Sequence, residues 1–225
     1  MAQQAGQPGV QAAEQPDFQF IRFEAGRNGY CAFEREVFAD FVSAAQGDAE
    51  ALERLVAICE RAIAADAAHA EAIAWRGAAK LFEAGEASSN GDFRAAMAFT
   101  SASLADLARA RELEPDNPGV RMVAAQTLLN LAENHPIPNM ARGYAKQGIE
   151  DARAALVLLE DKWSQQPDDI KGRLLVGVAQ AYDKLGEATK ARDWFNRAIG
   201  AVPGTTWAEQ AQAWIDAADK EASSF

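Results

Sequence analysis

The sequence is short of the residues that build covalent frameworks and active sites. Its two cysteines, Cys31 and Cys59, are too few for a disulfide scaffold. Cys59 falls on the apolar stripe Leu52, Val56, Cys59, Ile63 and reads as a buried small hydrophobe. A bridge between Cys59 and Cys31 stays open as the alternative. The two histidines, His69 and His135, stand near helix ends without a second ligand type at metal spacing, and read as surface side chains. There is no HExxH, no CxxC, no Gly-rich phosphate loop and no Gly-x-Ser-x-Gly elbow. A non-catalytic protein without metal or cofactor is therefore expected.

Positive charge is also scarce. With 22 basic against 33 acidic side chains the net charge is −11, which argues against nucleic acid or an anionic membrane surface as a partner. The carboxylates mostly sit near Lys or Arg, as in Glu187…Lys190 and Asp216…Lys220, the pattern of solvated helix faces. No run approaches the roughly 18 apolar residues of a membrane span, so no transmembrane segment is expected. β-Branched residues are sparse and alanine is abundant, which favours helix. At 225 residues the chain can bury one substantial core or a short repeat array.

What is present is organised around Ile170–Pro203. Leu175, Val178, Ala179, Tyr182 and Leu185 recur at the spacing of one helix face. Gly186 can take the left-handed backbone that ends a helix. A second stripe follows in Ala191, Trp194 or Phe195, Ala198 and Ile199, and Pro203 blocks continuation. Ala179, Tyr182, Gly186, Ala191, Phe195, Ala198 and Pro203 together resemble one unit of the tetratricopeptide repeat (TPR) family. Leu175 stands where the family often has Trp, and Ala179 where Gly is usual. The resemblance covers these 34 residues well and the rest of the chain only in degenerate form.

The remainder reads as further helical hairpins. Met1–Asp17 is a Gln/Ala/Gly/Pro tail with too little apolar surface to fold, and is expected to be disordered. It is not a signal peptide as it stands. Its composition suits the spacer after a removed signal or lipid anchor, hence a bacterial periplasm, and equally a cytoplasmic tail. Residues 18–225 are expected to form a single domain. Phe18–Phe23 alternates apolar and polar, and Ala25–Gly29 signals a turn. Helices are expected over Phe33–Ala45 and, capped by Asp48, to about Ala65. His69–Ala84 is the next, followed by a long loop, Glu83–Asp92, with Asp92 capping a helix to about Leu113. Thr100–Ser103 in its middle should either bond backbone carbonyls four residues back or line a pocket. Val120–Glu133, a loop His135–Asn139 and a long helix Ala141–Gln165 precede the 170–203 unit. Thr206–Ala222 should cap the last hairpin.

The expected fold is thus all-α, an irregular TPR-like array of stacked antiparallel hairpins with a C-terminal capping helix and a curved or partly closed concavity. The resemblance implies that first helices line that concavity. On this count the wall comprises Ala74, Ala78, Leu81 and Phe82, then Met122, Gln126 and Leu129, then Val176 and Gln180. The wall reads as small, apolar and sparsely polar, without the basic and asparagine side chains by which some TPR domains clamp a peptide carboxylate. Two functions fit. One is an adaptor that binds a partner protein, through an apolar peptide or helix, in the groove. The other is an exported carrier or transport-system component holding a lipid-like small molecule among Phe82, Met97, Thr100 and Met122.

Overall fold

The computed structural model describes residues 33–222, so the expectations for Met1–Asp17, Phe18–Phe23, Ala25–Gly29 and Cys31 lie outside the described residues. Among those described, all regular structure is helical. The helices are α1 (Glu34–Ala45), α2 (Ala49–Ala65), α3 (Ala70–Ser89), α4 (Phe93–Leu113), α5 (Pro118–Asn134), α6 (Pro138–Leu158), α7 (Asp168–Lys184), α8 (Ala188–Ala201) and α9 (Thr206–Ala222). A 3-10 segment, Glu160–Gln165, lies between α6 and α7.

Helices pair in chain order: α1 with α2, α3 with α4, α5 with α6, and α7 with α8. Each pair is joined by only three residues, Gln46–Asp48, Asn90–Asp92, His135–Ile137 and Leu185–Glu187, which turns the second helix back on the first. Three of these turns are built alike. Gly47, Gly91 and Gly186 have φ between +78° and +94°, a conformation that costs glycine nothing. The N–H groups of Asp48, Asp92 and Glu187 then donate to Ser43, Ala87 and Tyr182 carbonyls, closing the preceding helix. Asp48 and Asp92 go on to accept from the Ala51 and Ala95 N–H groups, opening the next. The fourth turn has Pro136 instead, and Ile137 N–H donates to His135 Nδ1 at 3.1 Å.

First helices also meet one another in sequence, α1 on α3, α3 on α5, α5 on α7 and α7 on α9, forming a layer covered by the second helices. The core lies between the two layers. Ile73, Leu107, Leu128, Leu174, Leu175 and Phe195 are fully buried in it, with Ala124, Ala145, Ala179, Ala191 and Ala198 at the close approaches. Trp214 of α9 stacks on Phe195 with ring centroids 4.7 Å apart, closing the apolar end of the last hairpin. Gly172 of α7 admits α9 closely, because a Cβ there would come within 2.6 Å of Trp207 Cβ.

Several local expectations need correction. Glu83–Asp92 is not a long loop, because α3 continues to Ser89 and the hairpin closes with the common three-residue turn. Ser89 Oγ donates to the Gly85 carbonyl at 2.9 Å, and Gly85 faces open space, so its presence in the helix costs only about 1 kcal/mol. The helix α6 begins at Pro138, inside the expected loop, because proline suits a first helical position. It ends at Leu158, short of Gln165, as the chain tightens into the 3-10 segment beneath buried Leu159.

The polar residues also differ from a uniformly solvated set. His69 is 2% exposed: its Nδ1 accepts from Ala72 N–H as the cap of α3, and its ring meets Phe33 edge-on at 4.9 Å. Asp106 of α4 accepts from Arg76 and Lys80 of α3 at 2.7–2.8 Å. Burial works to raise the Asp106 carboxyl, but the hydrogen bonds from Arg76 and Lys80 outweigh it and hold the pKa below its ordinary value. Asp151 of α6, 2% exposed, is bracketed by Arg111 of α4 at 2.6 Å and Arg121 of α5 at 2.7 Å. These carboxylates tie the layers together. Glu187 and Lys190 do pair on the surface, whereas Asp216 accepts from Gln212 and Lys220 is not among its bonded neighbours.

Candidate functional site

The first-helix layer leaves a trough on its uncovered side. It consists of two adjoining cavities, of about 110 and 230 Å³, that share Gln126, Asn130 and Arg173. Each helix contributes a stripe at helical spacing. Trp75, Ala78 and Phe82 come from α3, Met122, Gln126, Asn130 and Glu133 from α5, and Arg173, Gly177, Gln180 and Lys184 from α7. Glu34 and Phe41 of α1 close one end, and Trp207 of α9 the other.

The two halves differ in chemistry. The smaller cavity has an aromatic floor, with the Phe41 ring 5.0 Å from Trp75 and 5.1 Å from Phe82, beside Leu81 and Met122, and Glu34, Thr127 and the shared Gln126, Asn130 and Arg173 also line it. The larger shares Gln126, Asn130 and Arg173 and adds Gln180, Glu133 and Lys184, beside the apolar Leu129, Ala132 and Ala181. Arg173 crosses the trough from α7 to α1. Its Nη2 lies 3.4 Å from Glu34 Oε1, and its guanidinium sits 5.1 Å from the centre of the Phe38 ring. Lys184 Nζ donates to the Glu133 carbonyl. Two donors are left over: Gln126 Nε2 and Arg173 Nε are buried and bond nothing among the described residues. A buried N–H without an acceptor costs about 1–3 kcal/mol.

The predicted wall is brought together in large part. Ala78, Leu81, Phe82, Met122, Gln126, Leu129 and Gln180 all line the trough. Ala74 and Val176 do not, being buried in the core at 0% and 1% exposure. The α7 stripe that faces the trough is Arg173, Gly177, Gln180, and Val176 is turned from it by one residue, about 100° of helix. Met97 and Thr100 lie on α4, a second helix, and line neither cavity. Met97 is 69% exposed, and Thr100 Oγ1 donates to the Ala96 carbonyl at 2.9 Å, the ordinary backbone use of a mid-helix hydroxyl. The wall is also not as uncharged as expected, since Glu34, Glu133, Arg173 and Lys184 border it. Trp75 was findable from its i, i+3, i+7 relation to Ala78 and Phe82; Arg173 and Glu34 had no local signal, because their meeting joins the first helix to the seventh.

One buried acid stands just outside the trough. Glu71 of α3 is 2% exposed and accepts from the Phe33 N–H at 2.9 Å and from Asn117 Nδ2 at 3.2 Å. Burial is the main reason its carboxyl is pushed up to about 7, with the charges of Glu114 and Glu34 adding to it. Cys59 is likewise buried, and desolvation pushes its thiol up to about 12, out of reach of thiolate chemistry. Among the described residues no cluster of three or more His, Cys, Asp or Glu could hold a metal ion, and no helix is long and apolar enough to cross a membrane. Comparison of the chain with protein-family models, with curated proteins and with solved structures finds no match.

Proposed function

We propose that this chain is a non-catalytic, TPR-like adaptor that takes an apolar segment of a partner protein into the trough. The observation that carries the reading is the pairing of an aromatic floor with two buried donors that lack acceptors, Gln126 Nε2 and Arg173 Nε. A peptide supplies what both halves need. One apolar side chain would fill the space among Phe41, Trp75 and Phe82, and backbone carbonyls would accept from the amide and the guanidinium. A hydrocarbon ligand would satisfy only the first half. The resemblance of Ala179–Pro203 to a TPR unit supports the same assignment, since first helices carry the binding face in that family.

Native mass spectrometry of the purified protein separates the two readings. The adaptor reading expects the bare chain mass, with no retained sterol or fatty acid and no stabilisation when these are added. A retained apolar small molecule, released by Phe82→Asp, would move the assignment to the carrier.

A further inference from the structure

The links between successive hairpins reveal a second feature. Three of the four are four residues long, Asp66–His69, Glu114–Asn117 and Val202–Thr205, so four residues suffice to pass from one hairpin to the next helix. Between α6 and α7 the chain spends nine, residues 159–167, including the 3-10 segment. The added length puts Trp163 beside Arg153, Leu156 and Val157 of α6 and Trp194 and Arg197 of α8, around a surface niche of about 380 Å³. This niche lies on the second-helix layer and shares no residue with the trough.

Its contents are those of an interface core. Tryptophan and arginine are the residues in which binding energy concentrates, because they combine large apolar area with directed polar contacts. Val157 is 72% exposed at the niche. The Arg197 guanidinium carbon sits over Trp194, 4.2 Å from the ring centre, a contact that favours its position without neutralising it. Neither Arg153 nor Arg197 has an ion-pair partner among the described residues, and the one carboxylate bordering the niche is Glu160. Arg76, Arg111, Arg121 and Arg192 are paired, while Arg94, Arg142 and Lys146, like Arg153 and Arg197, have no ion-pair partner among the described residues; what sets Arg153 and Arg197 apart is that they flank Trp163, Trp194 and Val157. In a chain of net charge −11, two unpaired guanidiniums around exposed apolar surface select an acidic visitor.

We propose that the niche is a second docking surface, for an acidic segment of a partner protein carrying one bulky apolar side chain. The apolar group packs between Trp163 and Trp194 against Leu156 and Val157, and flanking carboxylates pair with Arg153 and Arg197. The surface operates independently of the trough, so the chain can hold two partners at once.

The test uses fluorescein-labelled twelve-residue peptides and the full chain, read by fluorescence anisotropy. The probes carry a central Phe, Leu or Trp flanked by Asp and Glu; the controls replace the apolar residue by Ser, or the acids by Lys. At least one acidic apolar probe should bind saturably, and both controls should fail. Trp163→Ala and Arg197→Glu should each weaken binding about tenfold or more, and high salt should weaken it further. Phe82→Asp in the trough should leave it unchanged. Should Trp163→Ala fail to fold, Arg197→Glu decides alone, since charge reversal should also improve binding of the Lys control. No saturable binding by any acidic probe, or binding indifferent to Arg197→Glu, overturns the proposal. Sedimentation showing a dimer that Arg197→Glu dissociates would assign the niche to a second copy of this chain, and displacement of the probe by oligouridylate would assign it to RNA; either result also overturns it.

Discussion

The first and second helices of the hairpins live in different surroundings, and their residues follow. In α5, eleven of seventeen residues are buried; in α8, three of fourteen are. The helix α5 has α3, α4, α6 and α7 around it, whereas α8 touches α7 and α9. A helix enclosed on several sides must be apolar nearly all round, and only its trough-facing stripe is free to be polar. A helix packed on one side needs a single stripe, here Ala191, Phe195 and Ala198, and its other faces can carry charge or partner-binding groups. The division of labour follows. On the proposed reading, recognition by the inner layer would be confined to one narrow stripe per helix, while the outer layer has surface to spare.

Substitutions can break or sharpen this contrast. The largest effect is expected from an outer-layer residue that breaks the pattern, Asp151 of α6. Asp151→Ala would leave Arg111 and Arg121 facing each other without their shared carboxylate, costing about 4 kcal/mol in denaturant unfolding. A loss under about 1 kcal/mol would mean that the triad adds nothing to the joining of the layers. Next comes Leu128→Ala in α5, fully buried, for which a cavity cost of about 3 kcal/mol is expected by the same measurement.

The buried acid of the inner layer gives a pH signature. The native state holds the Glu71 proton more tightly than the unfolded chain, because its carboxyl is raised from 4.5 to about 7. This contribution is fully present below pH 4.5 and is lost as pH rises through 7. Glu71→Gln should therefore remove on the order of 2 kcal/mol of the stability difference between pH 5 and pH 8, seen as a flatter dependence of Tm on pH. Gly172→Ala should cost about 1.5 kcal/mol by forcing Trp207 away, with faster amide exchange confined largely to α9. Met97→Ser, on the exposed side of α4, should stay within about 0.5 kcal/mol of the parent in Tm-derived stability.

The same contrast explains what the sequence made legible. Turn chemistry is local, so Asp48, Asp92 and Gly186 marked their hairpins correctly, and the α7–α8 stripe was readable because α8 packs on one side only. In Glu83–Asp92 the loop-forming residues Gly85, Ser88 and Ser89 were overruled by the pairing of α3 with α4. The aromatic half of the trough was legible through Ala78, Phe82 and Met122, which share a stripe with their neighbours. Its polar half was not. Arg173 reaches Glu34 across 139 positions of sequence, and no local pattern encodes such a meeting. Val176 was misplaced for a related reason: on a helix enclosed by neighbours, apolar character does not say which face is open.

On the proposed reading a partner's segment lies along the first-helix layer. Site-specific photo-crosslinking tests it most directly, with a photoreactive phenylalanine analogue placed at Phe82 in the trough and, as the control, at Phe93, which is 68% exposed on α4. A discrete protein adduct is expected from position 82, absent from position 93 and lost when Gln126→Ala and Arg173→Ala are combined. Adducts of equal yield at both positions, or an adduct at 82 that survives the loss of both donors, would contradict it.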